Sequence, residues 1–257
     1  MTLKPADLLR IRQLPLLQTA AADTFSRLTR SAFLQRFPRD AQLTAEGEVN
    51  DFLYVLMEGA VELEGTWNDR DSTLALLRPL STFVLASVIL DVPALMTART
   101  IMRSQVLMIP GEAFRQAVRE DPALSFAVAE ELSGCYSGVV RVLKNYKLRG
   151  ALERLANYLL VQQRRQGGGP TLKLPCQKRV LASLLGMTPE NLSRAFATLG
   201  GHGVQVDGAN VTIHRPGALA RLAKPDVLID DQAEGEQVLG RADRERRSYG
   251  HAEPDRF

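Results

Sequence analysis

The sequence is poor in the residues that build disulfide frameworks and metal sites. Its 257 residues include two cysteines and three histidines, and every histidine lies after residue 201. Two cysteines are too few for a disulfide framework, and a reducing compartment fits this usage. A nucleophile in the first 201 residues would have no histidine beside it as a base. We therefore expect no catalytic residues, no metal and no enzymatic activity.

Long hydrophobic runs are also missing. No apolar stretch approaches the roughly 18 residues that a membrane span needs. The most apolar stretch, Val84–Met96, contains Asp91 and Pro93. With 45% hydrophobic and 24% charged residues, the composition is typical of a globular protein. The amino terminus has no hydrophobic signal region, and we expect a cytoplasmic protein without a membrane partner.

The net charge of +3 is unevenly distributed along the chain. Arg141–Arg194 contains eleven Lys and Arg but two acidic residues, whereas Pro225–Phe257 contains nine acidic residues and five Arg. A basic segment of this kind is typical of proteins that bind DNA, although a solvated helix surface can have the same composition. Because the carboxyl-terminal tail is polar, we expect it to be disordered.

A change of pattern near residue 121 separates short strands from a long helix. Between Phe33 and Ile109, short alternating segments with turn residues between them predict a β-roll or barrel. Asp121-Pro122 then reads as the N-cap and first residue of a helix that runs to about Arg149. Its apolar residues alternate by four and three, which favours a dimer seam over packing on its own domain. The predicted dimer interface is Leu132, Cys135, Tyr136, Val139, Leu143 and Tyr146.

Two helices separated by a short turn follow in the basic segment. The first is predicted for Cys176–Gly186, whose final glycine can adopt a left-handed conformation. The second, Pro189–Leu199, begins after Thr188 as its N-cap. A hairpin with an Asp-Gly turn follows over Gly203–His214. Helix, turn, helix and hairpin together predict a winged helix-turn-helix, whose second helix enters the DNA major groove.

The outer face of the second helix carries side chains that can read bases. Arginine donates two hydrogen bonds to guanine, glutamate accepts one from cytosine, and serine bonds a base or a phosphate. Glu190, Ser193 and Arg194 lie in the first two turns, where recognition helices meet base edges. The alternative is a surface ion pair between Glu190 and Arg194. The predicted DNA-binding residues are Glu190, Ser193, Arg194, Thr188, Asn191 and Lys178.

These motifs resemble those of the Crp/Fnr family of bacterial transcription regulators. The roll carries Arg36-Phe-Pro-Arg39, Glu46-Gly-Glu48 and Phe52-Leu-Tyr-Val-Leu-Met-Glu-Gly59. Thr97-Ala-Arg-Thr100 is similar to the end of the family's ligand cassette. The recognition helix reads Glu190-Asn-Leu-Ser-Arg194, which is similar to the Fnr-type branch.

The resemblance covers about residues 15–224 and implies an α+β fold. We expect a cyclic-nucleotide-binding-like β-roll (residues 1–120), a dimerisation helix (121–149), a winged helix-turn-helix (150–224) and the tail (225–257). It further implies a homodimer on near-palindromic double-stranded DNA with TTGA-like half-sites, and RNA polymerase as a partner. A signal in the roll would shift the long helices and re-space the recognition helices. The alternative is an effector-binding or scaffold protein whose helix-turn-helix is idle.

The sequence departs from the family's cyclic-nucleotide binders in the cassette. There, Gly-Glu is followed about ten residues later by Arg-Ser or Arg-Thr, which hold the ribose and the phosphate. The corresponding positions here are apolar, and burying an unpaired phosphate beside them would cost several kcal/mol. We predict that cyclic AMP does not bind. The cassette is either packed core or a pocket for a hydrophobic effector or haem. The predicted pocket residues are Val84, Leu85, Ala94, Leu95, Val139 and Val140.

The sequence does not identify a cofactor. A haem would need an axial ligand from Cys135, Met102 or Met108 in the sensor half. The iron–sulfur cluster of Fnr-type proteins is excluded because it needs a cysteine set that this chain does not have. Cys135 itself is either a small core residue or a redox switch across the dimer.

Overall fold

The computed structural model describes residues 3–68 and 70–230. Within them, the chain forms a β-roll, a long helix and a winged helix-turn-helix, which confirms the predicted α+β fold class. The predicted disordered tail lies outside the described residues from residue 231 onward.

The β-roll follows two amino-terminal helices, α1 (Pro5–Arg12) and α2 (Ala22–Ser31). Its strands are β1 (Phe33–Phe37), β2 (Gln42–Thr44), β3 (Phe52–Glu58), β4 (Val61–Trp67), β5 (Arg70–Leu77), β6 (Thr82–Phe83), β7 (Thr97–Thr100) and β8 (Ser104–Pro110). One antiparallel sheet has the order β1-β8-β3-β6 and the other has the order β2-β7-β4-β5.

Strand β3 divides the roll into two hydrophobic cores. Its side chains alternate between the faces of the sheet, as in any strand. Tyr54 and Leu56 pack against the second sheet, in the core between the two sheets. Leu53 and Val55 face the other way and pack against the helices that cover the roll. This double burial explains why the strand is apolar at nearly every position.

Three helices complete the amino-terminal half: α3 (Leu85–Leu90), α4 (Gly111–Glu120) and α5 (Pro122–Leu148). Asp121 caps the 27-residue α5 as predicted, because its Oδ1 accepts from the backbone N–H groups of Ala123 and Leu124. Its Oδ2 accepts from the N–H of Ala21 at 2.7 Å. These hydrogen bonds, chiefly that from Ala21, lower the pKa of Asp121. The cap therefore joins the amino-terminal segment to the start of the long helix.

The carboxyl-terminal half packs around a third core. Its elements are α6 (Ala151–Arg165), β9 (Thr171–Lys173), α7 (Lys178–Leu184), α8 (Pro189–Gly200), β10 (Val204–Asp207), β11 (Asn210–Ile213), α9 (Pro216–Ala223) and α10 (Val227–Asp230). The strands form one sheet in the order β10-β11-β9. Helix α7 is shorter than predicted because Gln177, its N-cap, has extended backbone angles. Helix α10 lies in the segment expected to be disordered, and its Ile229 is buried.

Candidate nucleic-acid interface

The second helix of the motif, α8, is fixed by capping and by burial of one face. The Thr188 hydroxyl accepts from the backbone N–H of Asn191 at 3.2 Å, as the sequence predicts for an N-cap. Leu192, Phe196 and Leu199 are buried in the core of this domain. Burying three such side chains contributes about 1.5–3 kcal/mol each. The packing therefore determines which face of α8 is presented to solvent.

The opposite face of α8 presents Glu190, Asn191, Ser193 and Arg194, all exposed. Within the described part of the chain, no ion pair joins Glu190 to Arg194. A hydrogen bond from its own backbone N–H, and then one from the Thr188 hydroxyl, lower the pKa of Glu190, with a smaller contribution from the charge of Arg194. Glu190 is therefore held as a carboxylate, the form that accepts a hydrogen bond from cytosine.

Two of the predicted residues have an additional local role. The Ser193 hydroxyl donates to the carbonyl of Pro189 at 3.0 Å, and its oxygen can still accept. Lys178 lies at the start of α7 with its Nζ 5.8 Å from the centroid of the Phe196 ring. Its ammonium group is exposed beside α8. Of the predicted DNA-binding residues, Glu190, Asn191, Ser193 and Arg194 are thus exposed together on α8, and Lys178 lies beside the Phe196 ring.

The turn between α7 and α8 is held by the long helix of the same chain. Gly186 has a left-handed φ of +62°, as predicted. The Tyr146 hydroxyl donates to the carbonyl of Leu184 at 2.6 Å, and a Cβ at Gly186 would overlap the Tyr146 ring. Arg154 stacks over that ring and donates to the carbonyls of Leu185 and Gly186. Tyr146, predicted as a dimer contact, therefore packs against its own helix-turn-helix.

This packing predicts that Gly186→Ala destabilises the domain more than a similar change elsewhere. Forcing alanine into the left-handed region costs about 1–2 kcal/mol, and overlap with Tyr146 adds about 1–3 kcal/mol. Gly208→Ala is the matched control, since Gly208 has φ +58° and open space around a Cβ. Urea unfolding measures both variants. Equal losses of unfolding free energy would show that the Tyr146 contact contributes nothing.

Helix α5 exposes an apolar stripe that only partly coincides with the predicted dimer interface. Tyr136, Val139 and Leu143 are 72%, 50% and 54% exposed, in line with that prediction. Leu132 and Cys135 are half-buried, and Leu132 packs on the core of its own roll. Phe126, which is 68% exposed, was not among the predicted interface residues. A heptad count that starts at Phe126 places Phe126, Tyr136, Val140 and Leu143 on one stripe.

The six predicted effector-pocket residues lie in different environments. Leu85 and Ala94 are buried, and Val84 packs against both cores of the roll. Leu95 is 80% exposed, and Val139 and Val140 lie on the exposed face of α5. Some of the six residues thus belong to the core and the others to the surface. A single effector pocket lined by all six stays a prediction.

The first helix of the motif docks on the roll of its own chain. Ser183 of α7 accepts from the backbone N–H of Thr73 in β5 at 2.7 Å. Beside this contact lies a cleft of about 540 Å³ with both acidic and basic residues in its wall. Burial, and then the neighbouring Glu62, raises the pKa of Glu64 in this cleft. No local sequence pattern predicts this contact, because it joins residues 110 positions apart.

Both cysteines are poor nucleophiles in this fold. Burial, with a smaller contribution from Glu131, raises the pKa of Cys135 to about 12. Burial likewise raises the pKa of Cys176 to about 11. Because the thiolate is the reactive form, the environment of Cys135 favours a core residue over a redox switch.

Among the described residues, no three His, Cys, Asp or Glu side chains form a metal-binding group, and no helix is suited to cross a membrane.

Two family models match the two halves of the chain. The cyclic nucleotide-binding domain matches residues 34–121, and the Crp-like helix-turn-helix domain matches residues 153–222. The global nitrogen regulator of Nostoc sp. is 25% identical over 213 residues, which cover 79% of this chain and 96% of that protein. The CRP-like cAMP-activated global transcriptional regulator of Mycobacterium tuberculosis is 25% identical over 194 residues, covering 73% of this chain and 87% of that one.

Solved structures show the same fold. FixK2 from Bradyrhizobium japonicum superposes with a TM-score of 0.65 at 23% identity, covering 74% of this chain and 96% of that one. A Crp/Fnr-family regulator from Eubacterium rectale gives a TM-score of 0.68 at 16% identity, covering 82% and 98%. The roll and the helix-turn-helix thus occur here in the order that transcription regulators share. The chain belongs to the Crp/Fnr family of DNA-binding transcription regulators.

Proposed function

We propose that this regulator is a homodimer that reads near-palindromic DNA through Glu190, Ser193 and Arg194 of each protomer. The observation that carries the proposal is the orientation of α8, whose leucines and phenylalanine are buried while these three side chains are exposed. Their combination of acceptor, hydroxyl and bidentate donor suits a TTGA-like half-site, because each group has a complementary base edge in the major groove.

The remaining predicted residues have supporting roles in this proposal. Lys178 is exposed at the edge of α8 and contacts a phosphate, where a flexible point charge suffices. Asn191 is exposed on the reading face and can bond adenine. Thr188 uses its hydroxyl to cap α8, so its contribution to DNA binding is to hold the first turn in place. In this proposal RNA polymerase is a further partner, and the regulator acts in the cytoplasm.

The dimer in this proposal forms along the exposed stripe of α5. Phe126, Tyr136, Val140 and Leu143 follow a spacing of three and four when Ala129 and Ser133 are counted between them. Large apolar side chains at this spacing along an exposed surface of about five turns are typical of a coiled-coil seam. Two protomers related by a two-fold axis would then place two α8 helices on successive turns of DNA.

Selection of bound DNA from a random pool tests the proposal directly. We expect an inverted repeat with half-sites related to TTGA. Native mass spectrometry of the same preparation measures whether the complex contains two protomers and whether a small molecule is retained. A pool in which no sequence becomes enriched, or a complex with one protomer, would contradict the proposal.

We further propose that cyclic AMP is not the effector. Two arginines that follow the cassette in the sequence have other partners: Arg99 donates to the carbonyl of Asp40 and to Gln42, and Arg115 pairs with Asp91. A phosphate bound by either guanidinium would have to displace these partners, and without such a contact its desolvation would be uncompensated. The relative from Mycobacterium tuberculosis, described as cAMP-activated, serves as the positive control.

Isothermal titration calorimetry checks this prediction. We expect no binding heat for cyclic AMP at concentrations up to about 1 mM, a limit that corresponds to roughly −4 kcal/mol. Micromolar binding would overturn the prediction. It would also require that Arg99 or Arg115 exchange its present partner for the phosphate, which a structure of the complex would reveal.

The haem ligands named from the sequence lie in different environments. Met102 is 52% exposed, whereas Met108 packs beside the core between the two sheets. Cys135 is half-buried on α5, and burial raises the pKa of its thiol. A hydrophobic effector remains the alternative to plain packed core in the cassette.

We also infer that the chain has no catalytic activity, since the relatives that it matches are described as regulators.

A further inference from the structure

The link between the long helix and the DNA-binding domain is two residues long. Helix α5 ends at Leu148 and α6 begins at Ala151, which leaves Arg149 and Gly150 between them. Arg149 has extended backbone angles, with φ −121° and ψ 141°. A two-residue extended link can pivot unless other contacts hold the two helices together. Any change of its angle would move α8 relative to the dimer stripe on α5.

A segment that follows the helix-turn-helix returns to this link. We call this segment, Lys224–Asp230, the strap. The chain reverses at Lys224, which has a left-handed φ of 46°. Helix α10 then packs against α5 and buries Ile229. Asp226 caps α10 by accepting from the N–H of Leu228 at 2.8 Å. The strap is thus a short folded element with its own cap and its own buried contact.

The strap is joined to the link by a bidentate ion pair. Arg149 donates from Nη1 to Oδ1 of Asp230 at 2.6 Å and from Nη2 to Oδ2 at 2.5 Å. The two side chains are only 7% and 10% exposed. Arg149 also donates to Oδ1 of Asn145 in α5 and to the carbonyl of Lys224. One guanidinium therefore holds the end of α5 and both ends of the strap.

Burial distinguishes this pair from the other ion pair on the strap. Lys224 pairs with Glu153 at 3.2 Å, but Lys224 is 76% exposed, and exposed pairs contribute little. Paired hydrogen bonds between a guanidinium and a carboxylate are strong and specific in direction. Removing one partner of a buried pair leaves an uncompensated charge, which disfavours the closed arrangement. Asp230 is therefore the residue on which closure of the strap depends.

We propose that the strap locks the link, so that Arg149 and Asp230 act as positioning residues that set the angle between the recognition helix and the dimer stripe. Besides the contacts that Tyr146 makes with Leu184 and Arg154, the link and the strap attach the DNA-binding domain to α5, and rotation about the link requires the ion pair to open. The spacing of the two recognition helices in the dimer then has one preferred value. This inference rests on the proposed homodimer for its effect on DNA.

The spacing between half-sites provides the readout. The selected operator is prepared with its spacer unchanged, one base pair shorter and one base pair longer. We expect Asp230→Asn to reduce the preference for the unchanged spacer on the order of tenfold, because only a fraction of the unlocked molecules has the correct angle. Discrimination against a mutated half-site should stay as in the unmodified protein. Asp23→Asn is the matched control, since Asp23 is 85% exposed in its ion pair with Arg27.

Hydrogen exchange tests the lock without DNA. We expect the backbone amides of the link to exchange on the order of tenfold faster in Asp230→Asn than in the unmodified protein, because exchange follows local opening. Asp230→Glu, which keeps the charge, should restore part of the protection against exchange. It replaces Asp230→Asn as the test variant if Asp230→Asn folds poorly. Unchanged exchange at the link in folded Asp230→Asn would overturn the lock. Changed exchange in a protein that selects no operator would support the lock and reject the proposed function.

Discussion

Arg194→Ala is expected to weaken binding to the selected operator by about 1–3 kcal/mol, the contribution of one bidentate base contact. Arg194 is exposed in the first two turns of α8, and no ion pair within the described chain occupies its guanidinium. Binding to random DNA should fall much less, because that binding depends on the total positive charge near the phosphates. Fluorescence anisotropy on both DNAs, at several salt concentrations, measures the two effects separately.

Arg194→Lys is the control that keeps the charge and removes the bidentate geometry. It should lose most of the operator preference while retaining the salt dependence of the unmodified protein. Discrimination at one base pair of each half-site should relax, and the other positions should be read as before. If Arg194→Ala lost equal free energy on operator and random DNA, the residue would be a phosphate contact and the proposed reading of the half-site would be wrong.

Leu143→Glu should have a larger effect, because it places a charge in the middle of the proposed dimer seam. Leu143 is 54% exposed in the single chain and lies on the same stripe as Tyr136 and Val140. Burying an unpaired carboxylate in that seam is costly, so we expect monomers at micromolar concentrations. A monomer can hold one half-site, and losing the linked second contact should reduce operator affinity by roughly 10²–10⁴-fold.

Leu148→Glu provides the comparison for this substitution. Leu148 is 68% exposed on the same helix, but it lies about 100° around the helix from the stripe. The Leu148→Glu variant should remain dimeric and bind the operator with the affinity of the unmodified protein. Sedimentation equilibrium measures the protomer number, and circular dichroism checks that both variants are folded. A Leu143→Glu variant that stays dimeric would place the interface elsewhere on the molecule.

The capping, the turn conformation and the buried face of the helix-turn-helix were predictable from the sequence. Thr188 as N-cap, Gly186 in the left-handed region and the buried Leu192 and Phe196 were all inferred from local chemistry, and each is confirmed. These features depend on residues within one or two turns of each other. Capping, turn conformation and the burial period of a helix are local properties, so neighbouring residues specify them.

The apolar stripe on α5 shows where such local inference is insufficient. Leu132 and Tyr146 have the same periodicity as Leu143, but Leu132 packs on the roll and Tyr146 packs on the turn at Gly186. Periodicity identifies an apolar face of a helix without identifying what covers it. The partner depends on which distant elements reach that face, and the contacts of Tyr146 with Leu184 span 38 positions of sequence.

By itself, the sequence determined that a β-roll precedes a helix-turn-helix, which face of α8 is exposed and the family to which the chain belongs, because these depend on spacing and on side-chain chemistry. Only the tertiary structure decided the contact of Ser183 with Thr73, the clamp of Tyr146 on the turn and the closure of Asp230 on Arg149. Each of these joins residues that are far apart in the chain, and pairing across such distances follows from how whole elements pack rather than from any local pattern.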